Sequence, residues 1–120
     1  MRLALRVAAS SPCRQKMGAV VVQGRRVITF KSNTNRNPPG IDFLHATFHA
    51  EEAALRRVQH TAGSVVYVAR VGAKGEPALA RPCFRCQKFM SVLGVTKAYY
   101  TDDSGATKHL SLKRWPEPLP

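Results

Sequence analysis

The chain has 120 residues, 44% hydrophobic and 22% charged, a balance that suits one globular domain with a disulfide-free core and excludes disordered and fibrous classes. No apolar run approaches the ~20 residues that a membrane-spanning helix needs, so no membrane partner is expected. The formal charge is +12, from 19 Lys and Arg against 7 Asp and Glu, which favours polyanionic partners: nucleic acid or a phosphorylated small molecule.

Residues 2–9 predict a short helix with Leu3 and Val7 on one face, stopped by Ser10, Ser11 and Pro12. Its apolar stretch is too short for a signal peptide. "GAVVVQ" (18–23) and "GRRVITFKS" (24–32) read as strands joined by a tight turn at Gln23-Gly24, a hairpin. "NTNRNPPGID" (33–42) is loop, rich in Asn, Pro and Gly. Residues 49–60 are helix-like, with Ala50, Ala53, Ala54 and Val58 inward and Arg56 and Arg57 outward. "SVVYVARV" (64–71) predicts a third strand, and "GAKGEPALAR" a loop. A second helix is expected from Pro82 to Leu93, with Cys86, Phe89, Met90 and Leu93 on one face and Gly94 as its C-terminal cap. "TKAYYTD" (96–102) is a fourth strand. The turn "DDSG" is too short for a crossover, so a strand at 106–112 returns antiparallel. The expectation is one α/β layered domain over 1–113 and a proline-rich tail over 114–120.

Three cysteines make an odd count, and Cys83 and Cys86 stand at C-x-x-C spacing. That argues for metal-binding thiols in a reducing cytoplasm rather than an exported disulfide framework. Residues three apart share a helix face, and the positive end of a helix favours the thiolate that zinc binds. Cys13, far from these motifs, reads as a small buried or free thiol. His49, heading the other helix in "FHAEEAALRR", is the candidate third ligand. Three protein ligands leave one tetrahedral position open, the catalytic arrangement. Glu51, two residues on, is close enough to move a proton without ligating the metal. A zinc site without catalysis is the alternative, but it leaves Glu51 unexplained. H-x-E followed by P-C-x-x-C is the signature of zinc nucleobase deaminases.

On "GAVVV", "GRRVITFKSN", "HAEEAAL", "LARPCFRC" and "YYT", the chain resembles the cytidine and deoxycytidylate deaminase superfamily, which includes the tRNA adenosine deaminases. The resemblance runs from about residue 1 to 110. It implies a three-layer α/β/α fold around a mixed sheet of about five strands, of which the short "DDSG" turn makes the last two an antiparallel hairpin. It also implies zinc on His49, Cys83 and Cys86, Glu51 as proton shuttle, Asn33 on the sugar and the Ala50 backbone on the base. His45 is not a ligand in that pattern and stands as a substrate-side polar group. Phe84 and Arg85, within the cysteine turn, are further candidates for substrate contact, Arg85 through phosphate. His60 and His109 are expected to be exposed.

A terminal hairpin resembles the free-cytidine branch, whereas that branch usually has cysteine where this chain has His49. The early "SSPCRQKMGAVVV" and the loop "NTNRNPP" look most like small deoxycytidylate-deaminase-like proteins of bacteria and phages. Two classes of substrate therefore stay open: a free pyrimidine nucleoside or nucleotide, or a base in single-stranded DNA or tRNA. The family resemblance also implies a homo-oligomer.

Overall fold

The structure is a computed structural model that describes residues 1–11, 16–33, 54–56, 58, 60–72 and 74–113. Strands β1 (Lys16–Gln23) and β2 (Arg26–Ser32) form the expected hairpin around Gly24 and Arg25. Gly24 takes φ +63°, the left-handed conformation that a two-residue turn demands. Val21 faces Thr29 and Val22 faces Val27, so Ile28 is the extra residue of a β-bulge.

Four further strands complete one sheet: β3 (Val65–Val71), β4 (Pro77–Ala78), β5 (Lys97–Thr101) and β6 (Thr107–Ser111). The order is β2-β1-β3-β5-β6. β1 is antiparallel to β2 and β3, β5 is parallel to β3, and β6 is antiparallel to β5. The closing hairpin is therefore the one the short "DDSG" turn predicts. The stretch read as loop before Pro82 contains a strand of two residues: β4 meets Arg70 and Val71, just past the Val65–Val68 segment that β5 holds.

Parallel β3 and β5 require a crossover, and helix α2 (Phe84–Val92) lies within it. Its C-terminus is a Schellman cap: Gly94, at φ +83°, donates to Ser91 O, and Val95 donates to Met90 O. Val95 and Met90 are both buried, which adds the apolar contact such caps carry.

The two sheet faces divide by strand alternation. Ala19, Val21, Val66, Val68, Ala98 and Tyr100 pack with Ala54, Leu55, Cys86 and Met90. Val20, Ala69 and Val71 face the other way, against Ala4, Val7 and Ala8 of helix α1 (Arg2–Ala9). Helices thus lie on both faces of the sheet, giving the expected three layers.

Two local expectations need correction. The buried face of α1 is Ala4, Val7 and Ala8, and Leu3 is 36% exposed. The cause lies in β1: a Cβ on Gly18 would sit 2.7 Å from Ala4 O and within 3 Å of the Ala8 backbone, so only small residues can line the contact. Second, the helix expected to reach residue 60 ends sooner. Ala54 and Leu55 are helical and buried, the chain turns at Arg56, and Val58 N donates to Leu55 O three residues back.

Candidate metal and substrate site

β2, β3 and β5 all run in one direction, so their carboxyl ends share one edge of the sheet. Residues 74–83 lead to the start of α2 at that same edge, where Ala80 N donates to Thr101 O at the end of β5. In open α/β sheets, ligands bind outside the carboxyl ends of the strands.

Cys83 is the N-cap residue of α2, with φ −68° and ψ 165°, and its side chain makes no capping hydrogen bond. It is exposed, whereas Cys86, in the first turn, is fully buried. Pro82 stands one place before the cap. Gln87 pins this turn: its Nε2 donates to Pro82 O at 2.8 Å and its backbone N to Cys83 O at 2.9 Å. Sequence reasoning misses Gln87, whose only signal is its place one turn after the N-cap. The donor chemistry fits zinc: two thiols three residues apart, one reachable from solvent and one sealed against the core. Among the described residues, no group of three metal-capable side chains occurs. His45, His49, Ala50 and Glu51 lie outside the described residues, as does Cys13.

Asn33 directly follows β2 and is 1% exposed. Its Oδ1 accepts from Ser11 Oγ at 2.6 Å and from Met17 N at 2.9 Å, while its backbone N donates to Met17 O at 3.0 Å. Asn33 therefore ties the start of β1, the end of β2 and the segment after α1 together at the carboxyl edge.

Phe84 is 68% exposed at the first position of α2, so it is no core residue. Arg85 is exposed and, with Arg56, Lys88, Phe89 and Val92, lines a surface recess of about 250 Å³. The Arg56 guanidinium lies 5.8 Å from the Phe89 ring centre, within cation–π range. His60 and His109 are exposed as expected.

Arg70, hidden in the apolar run "VVYVARV", is also missed by sequence reasoning. By alternation it shares a face with Val66 and Val68, the face that carries Cys86. Its backbone N donates to Thr101 Oγ1, which donates in turn to Ala78 O at 2.6 Å. The Nε atom is buried with no hydrogen-bond partner.

Beyond this edge, Asp102 organises the β5–β6 turn by accepting from Ser104 N, Ser104 Oγ and Ala106 N. The Ser104 hydroxyl leads in holding its carboxyl below the ordinary aspartate range, helped by the backbone N–H groups of Ala106 and Ser104 and by Lys108. Among the described residues, no helix is long and apolar enough to cross a membrane.

Residues 1–102 match the family described as the cytidine and deoxycytidylate deaminase zinc-binding region. No curated protein matches the chain. Among solved structures, the dCMP deaminase of cyanophage S-TIM5 in apo form is 25% identical, with a TM-score of 0.63 over 84% of this chain and 78% of that one. The same phage's enzyme in complex with dCMP and dUMP is 23% identical, with a TM-score of 0.57 over 84% and 74%. A cytidine deaminase from Burkholderia pseudomallei is 19% identical, with a TM-score of 0.69 over 92% and 88%. At 19% and 23% identity, these likenesses bear on the fold alone.

Proposed function

Because the chain belongs to the cytidine and deoxycytidylate deaminase zinc-binding family, we propose that it hydrolyses cytosine to uracil, releasing ammonia, in a free nucleoside or nucleotide such as cytidine, CMP or dCMP. The observation that carries this reading is the paired thiols at the head of α2, where the Cys83 side chain caps nothing and Gln87 fixes the turn. His49, Cys83 and Cys86 would hold the metal. Zinc, when bound, supplies the Lewis acidity that lets water act as a nucleophile near neutral pH.

The chain's own residues do the rest. Glu51 takes a proton from the attacking water and delivers it to the ring nitrogen, then helps protonate the departing ammonia. One carboxylate can serve as base and then as acid because each transfer restores it for the next. The oxygen of water forms the new carbonyl as the C–N bond breaks. Asn33 is assigned to the sugar and the backbone N–H of Ala50 to the base. His45, Phe84 and Arg85 are the remaining candidates for contact.

The test is deamination of a mixed pool by zinc-loaded protein, read by mass spectrometry. The pool holds cytidine, CMP, deoxycytidine, dCMP, single-stranded DNA and tRNA. Conversion of monomers is the expected result. Conversion of polymers alone would replace this reading with nucleic-acid modification, for which the +12 charge speaks. In the same assay, Glu51→Gln is expected to keep zinc and lose turnover by about 10²–10⁴-fold, the usual weight of a positioned general acid–base. Cys86→Ser is expected to lose zinc.

A further inference from the structure

The two cysteines at the head of α2 are held in place unequally. Cys86 is fully buried in the core cluster with Ala54, Leu55 and Met90, and close packing restricts a buried side chain to few rotamers. Cys83 is exposed, and as N-cap residue its side chain makes no hydrogen bond to the helix. The residues favoured at that position, Ser, Thr, Asp and Asn, are fixed by turning inward onto a backbone N–H of the first turn. A thiol is a weak acceptor and gains little by doing so. Neither packing nor capping therefore orients Cys83.

Gln87, one turn further along and part-buried, meets that need. The direction of a Cα–Cβ bond follows from the two peptide units that flank it, and Gln87 holds both. Its Nε2 donates to Pro82 O at 2.8 Å, in the peptide before Cys83, and its backbone N donates to Cys83 O at 2.9 Å, in the peptide after. The proline ring adds to this by fixing φ at Pro82. Upstream, Ala80 N donates to Thr101 O at 2.9 Å and ties the approach to β5. The side-chain bond is the one that depends on residue type. Any residue except proline would supply the backbone bond at 87, whereas only a long side chain with a terminal donor reaches Pro82 O.

We infer that Gln87 is a positioning residue for the metal site: its amide holds Cys83 free of the helix end, so that this thiol is in place before a metal arrives. This rests on the part of the proposed function that assigns zinc to His49, Cys83 and Cys86. Without the side-chain bond Cys83 spreads over several orientations, and affinity falls by the fraction of molecules still able to bind. Hydrogen bonds that orient metal ligands typically weigh about tenfold to a hundredfold in metal affinity.

Two variants of the full chain test it. Gln87→Met keeps the length and removes the donor; Gln87→Asn keeps the amide and withdraws it by one methylene. Thermal unfolding of the zinc-free proteins first sets a temperature at which all are folded. At that temperature zinc affinity is read by competition with a chromophoric chelator, and both variants are expected to bind about tenfold to a hundredfold more weakly than wild type. Cobalt(II) loaded in place of zinc is expected to give a weaker thiolate-to-metal charge-transfer band in both, a signature that fold stability alone does not move. If Gln87 only steadies the fold, the variants melt lower without zinc yet match wild type in zinc affinity and cobalt spectrum. That result would overturn the inference. Wild type that binds no zinc would overturn the zinc assignment and the inference with it. Wild type that binds zinc but deaminates nothing in the pool, with both variants weakened, would remove the deaminase reading and leave Gln87 in its positioning role.

Discussion

Replacing Asn33 with alanine separates two roles that this position could have. If Asn33 only touches the sugar, the variant folds as well as wild type and loses affinity. The structure instead places its Oδ1 in two inward hydrogen bonds, from Ser11 Oγ at 2.6 Å and Met17 N at 2.9 Å, at a residue 1% exposed. Alanine removes both and leaves the Met17 N–H without that acceptor. Each lost hydrogen bond is worth about 1 kcal/mol, and a buried donor left unmade adds about 1–3 kcal/mol. The sum is about 3–5 kcal/mol before relaxation, and about 2–4 kcal/mol if water reaches the gap. For a chain of this size that is a fall in Tm of roughly 8–16 °C. The assay is thermal and urea unfolding of both proteins at matched zinc, with Ser11→Ala alongside. Ser11→Ala keeps the bond from Met17 and is expected to cost about 1 kcal/mol. An Asn33→Ala protein melting within about 2 °C of wild type would refute this structural role.

Gly18→Ala is expected to destabilise by about 1–3 kcal/mol in urea titrations, because the new methyl group meets backbone atoms of Ala4 and Ala8 that cannot swing aside. A change under about 0.5 kcal/mol would mean that α1 is not seated as described. Gly94→Ala combines a left-handed residue, worth about 1–2 kcal/mol of strain, with a Cβ placed 2.8 Å from Ala62 Cα. Its midpoint should fall accordingly, and an unshifted midpoint would argue against the Schellman cap. For Asp102 the sign follows from a folded-state pKa held below the unfolded one. Its stabilising effect is present above the ordinary aspartate range and lost as pH falls through the lowered value. Asp102→Asn should therefore lie below wild type in Tm at neutral pH and approach it in acid; a gap that widens on acidification would contradict the assignment.

What the sequence declares and what it hides divide along physical lines. The β1–β2 hairpin and the end of α2 are readable because Gly24 and Gly94 are needed for their backbone conformations, a local demand that one residue type meets. The closing β5–β6 pair is readable because "DDSG" is too short for anything else. Which face of α1 is buried depends on Gly18, ten or more residues further along the chain, so a hydrophobicity pattern that favours Leu3 points the wrong way. The two residues of β4 carry no strand signal of their own. Thr101 supplies it from the far end of β5 by bonding Ala78 O. The helix that stops at Arg56 looks longer because its alanines and arginines are good helix formers. Tertiary anchors past it, Thr61 Oγ1 to Leu93 O and Gly63 N to Gly94 O, draw the chain out of the helix instead. The cysteine turn is legible as a motif, yet its support by Gln87 is not, since a glutamine in a helix has no distinctive pattern. Arg70 stays hidden for the opposite reason: one charge in a run of valines leaves the strand pattern intact.

The hairpin at the other end of the sheet bears on how copies of this chain meet. Among the strands described, β2 has a single neighbour, and it shows Val27 at 49% and Phe30 at 53% exposure beside it. An apolar border strand of this kind is a template on which another copy can lengthen the sheet, the first step towards aggregation. Suppose two copies paired antiparallel about Ile28 and Thr29. Arg26 of each would then stand opposite Lys31 of the other, a like-charge pairing that opposes contact. The bulge at Ile28 further spoils the flat register such pairing needs. Part of the excess positive charge thus acts as a guard along this border, and salt that screens it would be expected to release self-association there first.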